Sequence, residues 1–355
     1  MNAGMKKGLR LLVTLVIVGF LVMFARTINW SEAWSSMRNA SLPLLAAAIV
    51  INIVSIGVKG VRWWIFLRAA GIKSLGLAMR ATMAGAGLNN VLVANGGDAA
   101  RVVFVSRATG VPSSTVLASL ALERVFDPIG FVVLMVIGVL AFDLPPQLEK
   151  WKIPAIIALV VIIALLSYFV YATRNAKPGD LAVRSDAPTT FLQKAKAYMA
   201  GFGKSAGAMA TGPRFAAAML LSLISWATQL ATFALAAKAA HVEIPLAGSL
   251  ACLLGINIGL LVRATPGNVG FFQFVYALMA EQFGVARADA IAVSLLIQTL
   301  QILPLTALGV ALAPEFIFKR KAMEPELERV EEVIDAVTPV ITPGVVATHP
   351  PHRTT

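Results

Sequence analysis

Long runs without a charged residue recur along this chain, each near the length that crosses a bilayer. Asn39–Val58, Ile153–Thr173, Phe215–Ala237, Ile244–Val262 and Ala290–Pro314 contain no Asp, Glu, Lys or Arg. A helix needs about 20 apolar residues to traverse the hydrocarbon core, so each of these runs predicts a membrane span. Leu11–Ala25 is shorter but extends at its basic N-terminal side, and Pro128–Phe142 lengthens if the residues before Pro128 are helical. Ala264–Ala280 is long enough but opens on Thr265-Pro266-Gly267-Asn268. The pattern predicts an all-α polytopic membrane helix bundle of about eight spans.

Ser74–Glu123 interrupts this regularity. Ala81–Gly97 is free of charge but carries Gly85, Gly87, Asn89, Asn90, Asn95, Gly96 and Gly97. Ala108–Leu122 is free of charge but short. These segments read either as two further spans, giving ten, or as re-entrant half-helices, leaving eight; Arg101 and Arg107 between them favour a cytoplasmic turn and hence re-entry. Irregular backbone at membrane depth persists only where protein or a watery cavity surrounds it, which makes this stretch functionally interesting. An ordinary glycine-rich helix contact is the competing reading.

Composition agrees with the pattern. The 355 residues are 58% hydrophobic and 14% charged, against about 25% charged in soluble domains, and the mean hydropathy is +0.80. The formal net charge of +12 does not point to nucleic acid, because the basic residues flank the apolar runs as topology signals and contacts for anionic lipid. Lys6, Lys7 and Arg10 place the N-terminus in the cytoplasm; Lys59, Arg62, Arg68 and Lys73 follow the second span, and Lys319, Arg320 and Lys321 follow the last. Both termini are then cytoplasmic, and the first apolar run reads as an uncleaved span. Residues 1–320 form the membrane domain and 321–355 a short helix with a disordered tail; the basic loop Arg174–Arg214 holds a surface helix near Thr190–Met209 or is a solvated connector. Cys252 reads as a packing residue.

Two charged knots lie inside this apolar chain: Gly96-Gly97-Asp98-Ala-Ala-Arg101 and Glu123-Arg124-Val-Phe-Asp127. Insertion scales penalise a central Asp, Lys or Arg by roughly 2.5–3.5 kcal/mol, so charges kept there line a polar path or pair with one another. In the first knot Asp98 would cap a helix N-terminus, and Arg101 shares its face and suits phosphate; a local Asp98–Arg101 ion pair is the competing reading. In the second, Glu123 and Asp127 share a helical face and Arg124 is spaced to pair with Asp127. Arg62, beside Trp63-Trp64, reads as a headgroup anchor or, the preferred reading, as a positive-inside residue. Arg263 precedes the Pro266–Gly270 break, where a helix N-terminus would add to an anion site. No catalytic constellation, nucleotide loop or metal-ligand cluster emerges, so neither enzyme activity nor a cofactor is expected.

A shift of 170 residues aligns Ala94-Asn-Gly-Gly-Asp98 with Ala264-Thr-Pro-Gly-Asn268, Gly85 with Gly255, and Leu88 with Ile258. Each segment is apolar, breaks at glycine and presents a polar group, as in the paired broken helices of transporters built from inverted repeats.

At these motifs the chain resembles the lysylphosphatidylglycerol synthase transmembrane (flippase-like) family. The resemblance rests on Gly97-Asp98-x-x-Arg101, Glu123-Arg124-x-x-Asp127 and Pro266-Gly267-Asn268-x-Gly270-x-x-Gln273, in that order, and covers roughly Leu9–Phe318. Ala94 stands where the family often has proline, and Gln273 where it usually has glutamate. The resemblance implies a bacterial inner-membrane protein with a lipid-translocating fold. Nothing after Lys321 is long enough for the aminoacyl transferase fused in some relatives, so lysine transfer is not expected. The expected function is lipid transport, with membrane lipids of anionic headgroup as partners. Arg101, Arg124 and Arg263 would hold the headgroup, Asp98, Glu123 and Asp127 would orient them, and Asn89, Asn90, Asn268 and Gln273 would line the path. Gly96, Gly97, Pro266, Gly267 and Gly270 supply the breaks. The rival expectations are a membrane enzyme or accessory subunit acting on lipid-linked sugars or hopanoid-like lipids, and a scaffold for a partner transferase; a homo-oligomer is compatible with each.

Overall fold

The structure is a computed structural model. It describes residues 30–89, 96–143, 145–150, 152–157, 159–161, 212–259 and 270–312, with Arg26, Ala164 and Asn268. Leu11–Ala25, most of Ile153–Thr173, the basic loop with its expected surface helix, Asn90, Arg263, Pro266, Gly267 and the tail lie outside the described residues. Every regular element among the described residues is a helix: α1 Trp30–Arg38, α2 Leu42–Ala69, α3 Leu75–Asn89, α4 Gly96–Thr109, α5 Ser113–Ala141, α6 Pro146–Glu149, α7 Gly212–Ala239, α8 Leu246–Gly259, α9 Phe271–Glu281 and α10 Arg287–Leu312. Four of them, α2, α5, α7 and α10, are long and apolar enough to span a membrane. Their outward surface is apolar, with Val50, Val54, Leu140, Leu220, Ile224 and Leu303 exposed, as lipid contact requires.

The remaining apolar helices form two hairpins. Helix α3 has 15 residues and α4 has 14, each about 21–23 Å long at 1.5 Å per residue, too short to cross. They pack antiparallel: Gly97 lies on the backbone of Gly85 and Asn89, and Gly85 lies on Arg101. A Cβ at Gly85 would sit 2.8 Å from the Gly97 carbonyl oxygen, so only glycine admits this approach. Helices α8 and α9 pair in the same sense, through Gly248 on Phe283, Gly255 on Met279 and Gly259 on Phe271.

These hairpins correct two sequence readings. Arg101 and Arg107 do not form a turn: both sit within α4, and the first hairpin is connected between Asn89 and Gly96. Asn89 is the last residue of α3 and Gly96 the first of α4, whereas Arg101 stays helical with its charge paired to Asp98 and Glu123. Within Ile244–Val262 and Ala264–Ala280 the described residues include the 14-residue α8 and most of the 11-residue α9. Ala108–Leu122 is no separate half-helix: from Ser113 it belongs to the single helix α5, which runs on through Pro128.

The two halves repeat. Adding 170 to the bounds of α2, 42–69, gives 212–239, the bounds of α7. The same shift carries α3 onto α8 within one residue and places α4 and α5 over α9 and α10. Both long helices end in the same Schellman motif. Ile72 N–H donates to Leu67 O and Gly71 N–H to Arg68 O; 170 residues on, Val242 donates to Ala237 and His241 to Lys238. Gly71 and His241 both take the left-handed conformation, at φ 87° and 58°.

Helices α2 and α7 run antiparallel, because Ser41 N–H donates to Ala239 O while Ser55 meets Ser225. Ser55 and Ser225 are themselves 170 apart. Equivalent residues touch only on a symmetry axis, so a pseudo-two-fold axis passes between them and the repeat is inverted. Each half has its own core, one around Trp63, Phe66, Val102 and Leu120, the other around Phe233, Tyr276, Ile291 and Ile297. Helix α10 joins the first hairpin to the second half, with Gly309 against Gly87 at a separation that a Cβ on Gly87 would close to 2.7 Å. Pro304 deprives the Leu300 carbonyl of its helical partner, and Asn52 of α2 donates to it at 3.5 Å. At the other end of the bundle α1 packs on α10, with Ser36 donating to Asp289 at 3.0 Å. Trp30 and Trp34 stay exposed one turn apart, in keeping with an interfacial belt.

Candidate functional site

Helix α5 carries Glu123, Arg124 and Asp127 within little more than one turn. Glu123 points inward and bridges two arginines from different helices: Arg62 of α2, at 3.3 Å, and Arg101 of α4. Arg62 also pairs with Asp127 at 2.7 Å and donates to the Ser222 hydroxyl of α7 at 2.6 Å. Arg101 pairs with Asp98 at 3.4 Å, one turn back on α4, and lies over the Trp63 ring at 4.6 Å. Asp98 takes its second partner from α5, Arg124.

The six groups form one alternating chain, Asp127–Arg62–Glu123–Arg101–Asp98–Arg124. Its ends return to the same face of α5, so the chain is nearly a ring. The four inner side chains are closed off, Arg62 completely, whereas the terminal Asp127 and Arg124 side chains are 41% and 34% exposed. Three guanidinium groups against three carboxylates make the ring neutral. Such mutual pairing is what lets charge persist at this depth, though it stabilises little compared with an apolar core. The surrounding shell is ordered too: Trp63 donates its indole N–H to Ser119 at 3.0 Å, and Phe66 packs on Phe126.

The ring unites five of the expected site residues, Asp98, Arg101, Glu123, Arg124 and Asp127, with changed pairings. Arg124 pairs with Asp98 and Asp127 with Arg62, rather than the two with each other. Asp98 spends its carboxylate on arginines; the amide at the start of α4 is instead met by Asn89, whose Oδ1 accepts the Gly97 N–H at 2.9 Å. Arg62 is the residue that the sequence reading missed. It is no topology marker but the most deeply buried cation of the ring. Ser55, Lys59 and Arg62 stand at i, i+4 and i+7, one helical face, and that spacing was the available signal.

The second half answers with amides. The equivalents of Asp98, Arg62, Glu123 and Arg124 are Asn268, Thr232, Val293 and Ser294, so the charge is absent there. Gln273 accepts the Gly270 N–H at 2.7 Å and donates to Gln298 of α10 at 2.6 Å. Asn268 holds a left-handed φ of 55°, and its buried Oδ1 has no hydrogen-bond partner among the described residues. Gly96 and Gly270 mark helix starts in the two hairpins. Among the described residues no group of three or more His, Cys, Asp or Glu is placed to hold a metal ion.

Known proteins are similar to this chain in sequence. The family model described as the lysylphosphatidylglycerol synthase TM region matches residues 9–309. A UPF0104 membrane protein of Pyrococcus horikoshii is 24% identical over 322 residues, covering 82% of this chain and 92% of that protein. Another, of Methanothermobacter thermautotrophicus, is 25% identical over 171 residues, 46% of this chain and 50% of its own length. Glycosyltransferase AglD of Haloferax volcanii is 35% identical over 118 residues, 33% of this chain but only 18% of the enzyme. The helical bundle, the motifs that build the ring and the match along most of the chain place this multi-pass membrane protein in the lysylphosphatidylglycerol synthase transmembrane family.

Proposed function

We propose that this protein moves lipids across the membrane, with the headgroup passing along the polar edge of the ring while the tail stays in the bilayer. One observation carries this reading: a ring of six charges buried among apolar helices opens at Arg124 and Asp127, beside the short antiparallel helices α3 and α4. A solely structural ion-pair ring would gain nothing from half-exposed ends, since a charge facing hydrocarbon is costly. An inverted repeat with paired broken helices suits alternating access from either side. On this reading the protein sits in a bacterial inner membrane with both termini on the cytoplasmic side, an orientation that the basic segments of the sequence support.

A reconstituted assay with fluorescent phospholipids in proteoliposomes tests the reading. Purified protein should accelerate movement between leaflets over empty vesicles, and Arg124→Gln should cut the rate about tenfold or more while the protein stays monodisperse. Movement equal to that of empty vesicles would refute the proposal.

A second reading is service to lipid-linked sugar transfer, favoured by the stretch similar to a glycosyltransferase. That stretch covers under a fifth of the enzyme, so it supports a shared membrane module more than a shared reaction. Sugar transfer by the purified protein would decide for this reading.

A further inference from the structure

The ring is neutral, but its surroundings are not. Lys59 of α2 lies between Ser55 and Arg62 on the face turned toward α7 and α5, where Ser55 meets Ser225 and Arg62 meets Ser222 and Asp127. It is partly buried, and its charge reaches Asp127, as does that of Arg124. Among the described residues Lys59 makes no ion pair or hydrogen bond, while Asp127 already has Arg62. Lys59, Arg62, Arg101 and Arg124 against Asp98, Glu123 and Asp127 is four cations to three anions, an excess of one positive charge at the ring opening.

Depth makes that excess meaningful. Lys59 stands ten residues before the end of α2 at Ala69, about 15 Å along the axis. The interfacial pair lies further out, where Arg68 stacks on Trp64 at 4.9 Å and Trp64 donates to Lys73 O. Lys59 is therefore inside the belt, on an inward face, where an uncompensated ammonium calls for a counter-ion.

We infer that the ring opening is a binding site for a phosphodiester monoanion, with the Lys59 ammonium and the exposed arm of Arg124 on its oxygens and Asp127 held aside by Arg62. A ligand of one negative charge matches the excess. A zwitterionic headgroup would bring its own cation against Lys59, so the site discriminates by net charge. Arg124 supplies directed donors and Lys59 a point charge. The inference rests on reading the ring as a headgroup site, and it names the headgroup's charge and the residue that selects it.

The test measures binding separately from transport. Purified protein in neutral detergent is titrated with phosphatidylglycerol, phosphatidylcholine and inorganic phosphate, and retention is read by native mass spectrometry or thermal shift. Phosphatidylglycerol should bind at least about tenfold tighter than phosphatidylcholine, a preference that Lys59→Met removes and Lys59→Arg keeps. Should Lys59→Met fail to fold, Lys59→Gln serves in its place. Inorganic phosphate bound as tightly, with the same Lys59 dependence, would keep the site and assign it a soluble anion. An unchanged headgroup preference in Lys59→Met or Lys59→Gln would overturn the inference, as would no preference in the unaltered protein. Lys59-dependent binding without lipid movement would refute the transport function and leave this site standing.

Discussion

Glu123 is the residue on which the ring turns. It is 4% exposed and, among the described residues, is the one carboxylate shared by arginines of two other helices. Glu123→Gln keeps its shape but leaves Arg62 and Arg101 competing for the carboxylates of Asp127 and Asp98. Breaking a buried pair costs about 3–5 kcal/mol, so this variant should melt well below the parent in detergent. Asp127→Asn removes a half-exposed end whose partner keeps Glu123 and Ser222, and should cost clearly less. Equal melting losses from the two would refute the hierarchy. The sequence made this scale only partly readable. Charge inside apolar runs singled out five of the ring's residues, because hydrocarbon gives charge few other uses. Arg62 was hidden because lysines and arginines at the end of a span ordinarily mark topology, and Glu123 and Asp127 lie too far along the chain to show as its partners.

Between elements, glycine sets how closely the hairpins approach and which substitutions they tolerate. Gly97 rests directly on the Gly85 carbonyl and on Asn89, all backbone or short side chain, so nothing near it can yield. Gly97→Ala should force α3 and α4 apart and carry Asp98 and Arg101 with them, lowering both the yield of folded protein and its melting temperature. At Gly138 an added methyl meets only the tip of Leu250, which can change rotamer, so Gly138→Ala should be near neutral. Expression and melting of the two variants side by side check the contrast. The long apolar helices were legible from the run lengths alone. The helical state of α4 was not, because Arg101 looks like a loop residue until its partner on α5 is known.

Across the whole molecule, two halves of like architecture carry unlike chemistry. The first is pinned by ion pairs and by backbone-to-backbone glycine contacts. The second packs its hairpin through Met279, Val275 and Phe271, side chains that can rearrange. Three aligned identities and a matching pair of breaks foreshadowed the repeat. The Schellman ends and the antiparallel α2–α7 pairing rest on hydrogen bonds that no residue pattern displays. An axis at Ser55 and Ser225 makes a direct prediction. Replacing both with cysteine in a Cys252→Ser background should allow a short bifunctional thiol reagent to join residues 55 and 225 within one chain, seen as a mobility shift after proteolysis between the halves. No linkage would place the axis elsewhere.

That serine pair also acts as a fulcrum. If the halves exchange shapes so that the bundle opens first to one side and then to the other, points far from the axis swap neighbours. The two hydroxyls, 3.4 Å apart, trade places with each other and keep their spacing. A tether at this point would therefore leave the working cycle intact, whereas one of equal length at Ser41 and Ala239, at the end of the same helix pair, would stall it.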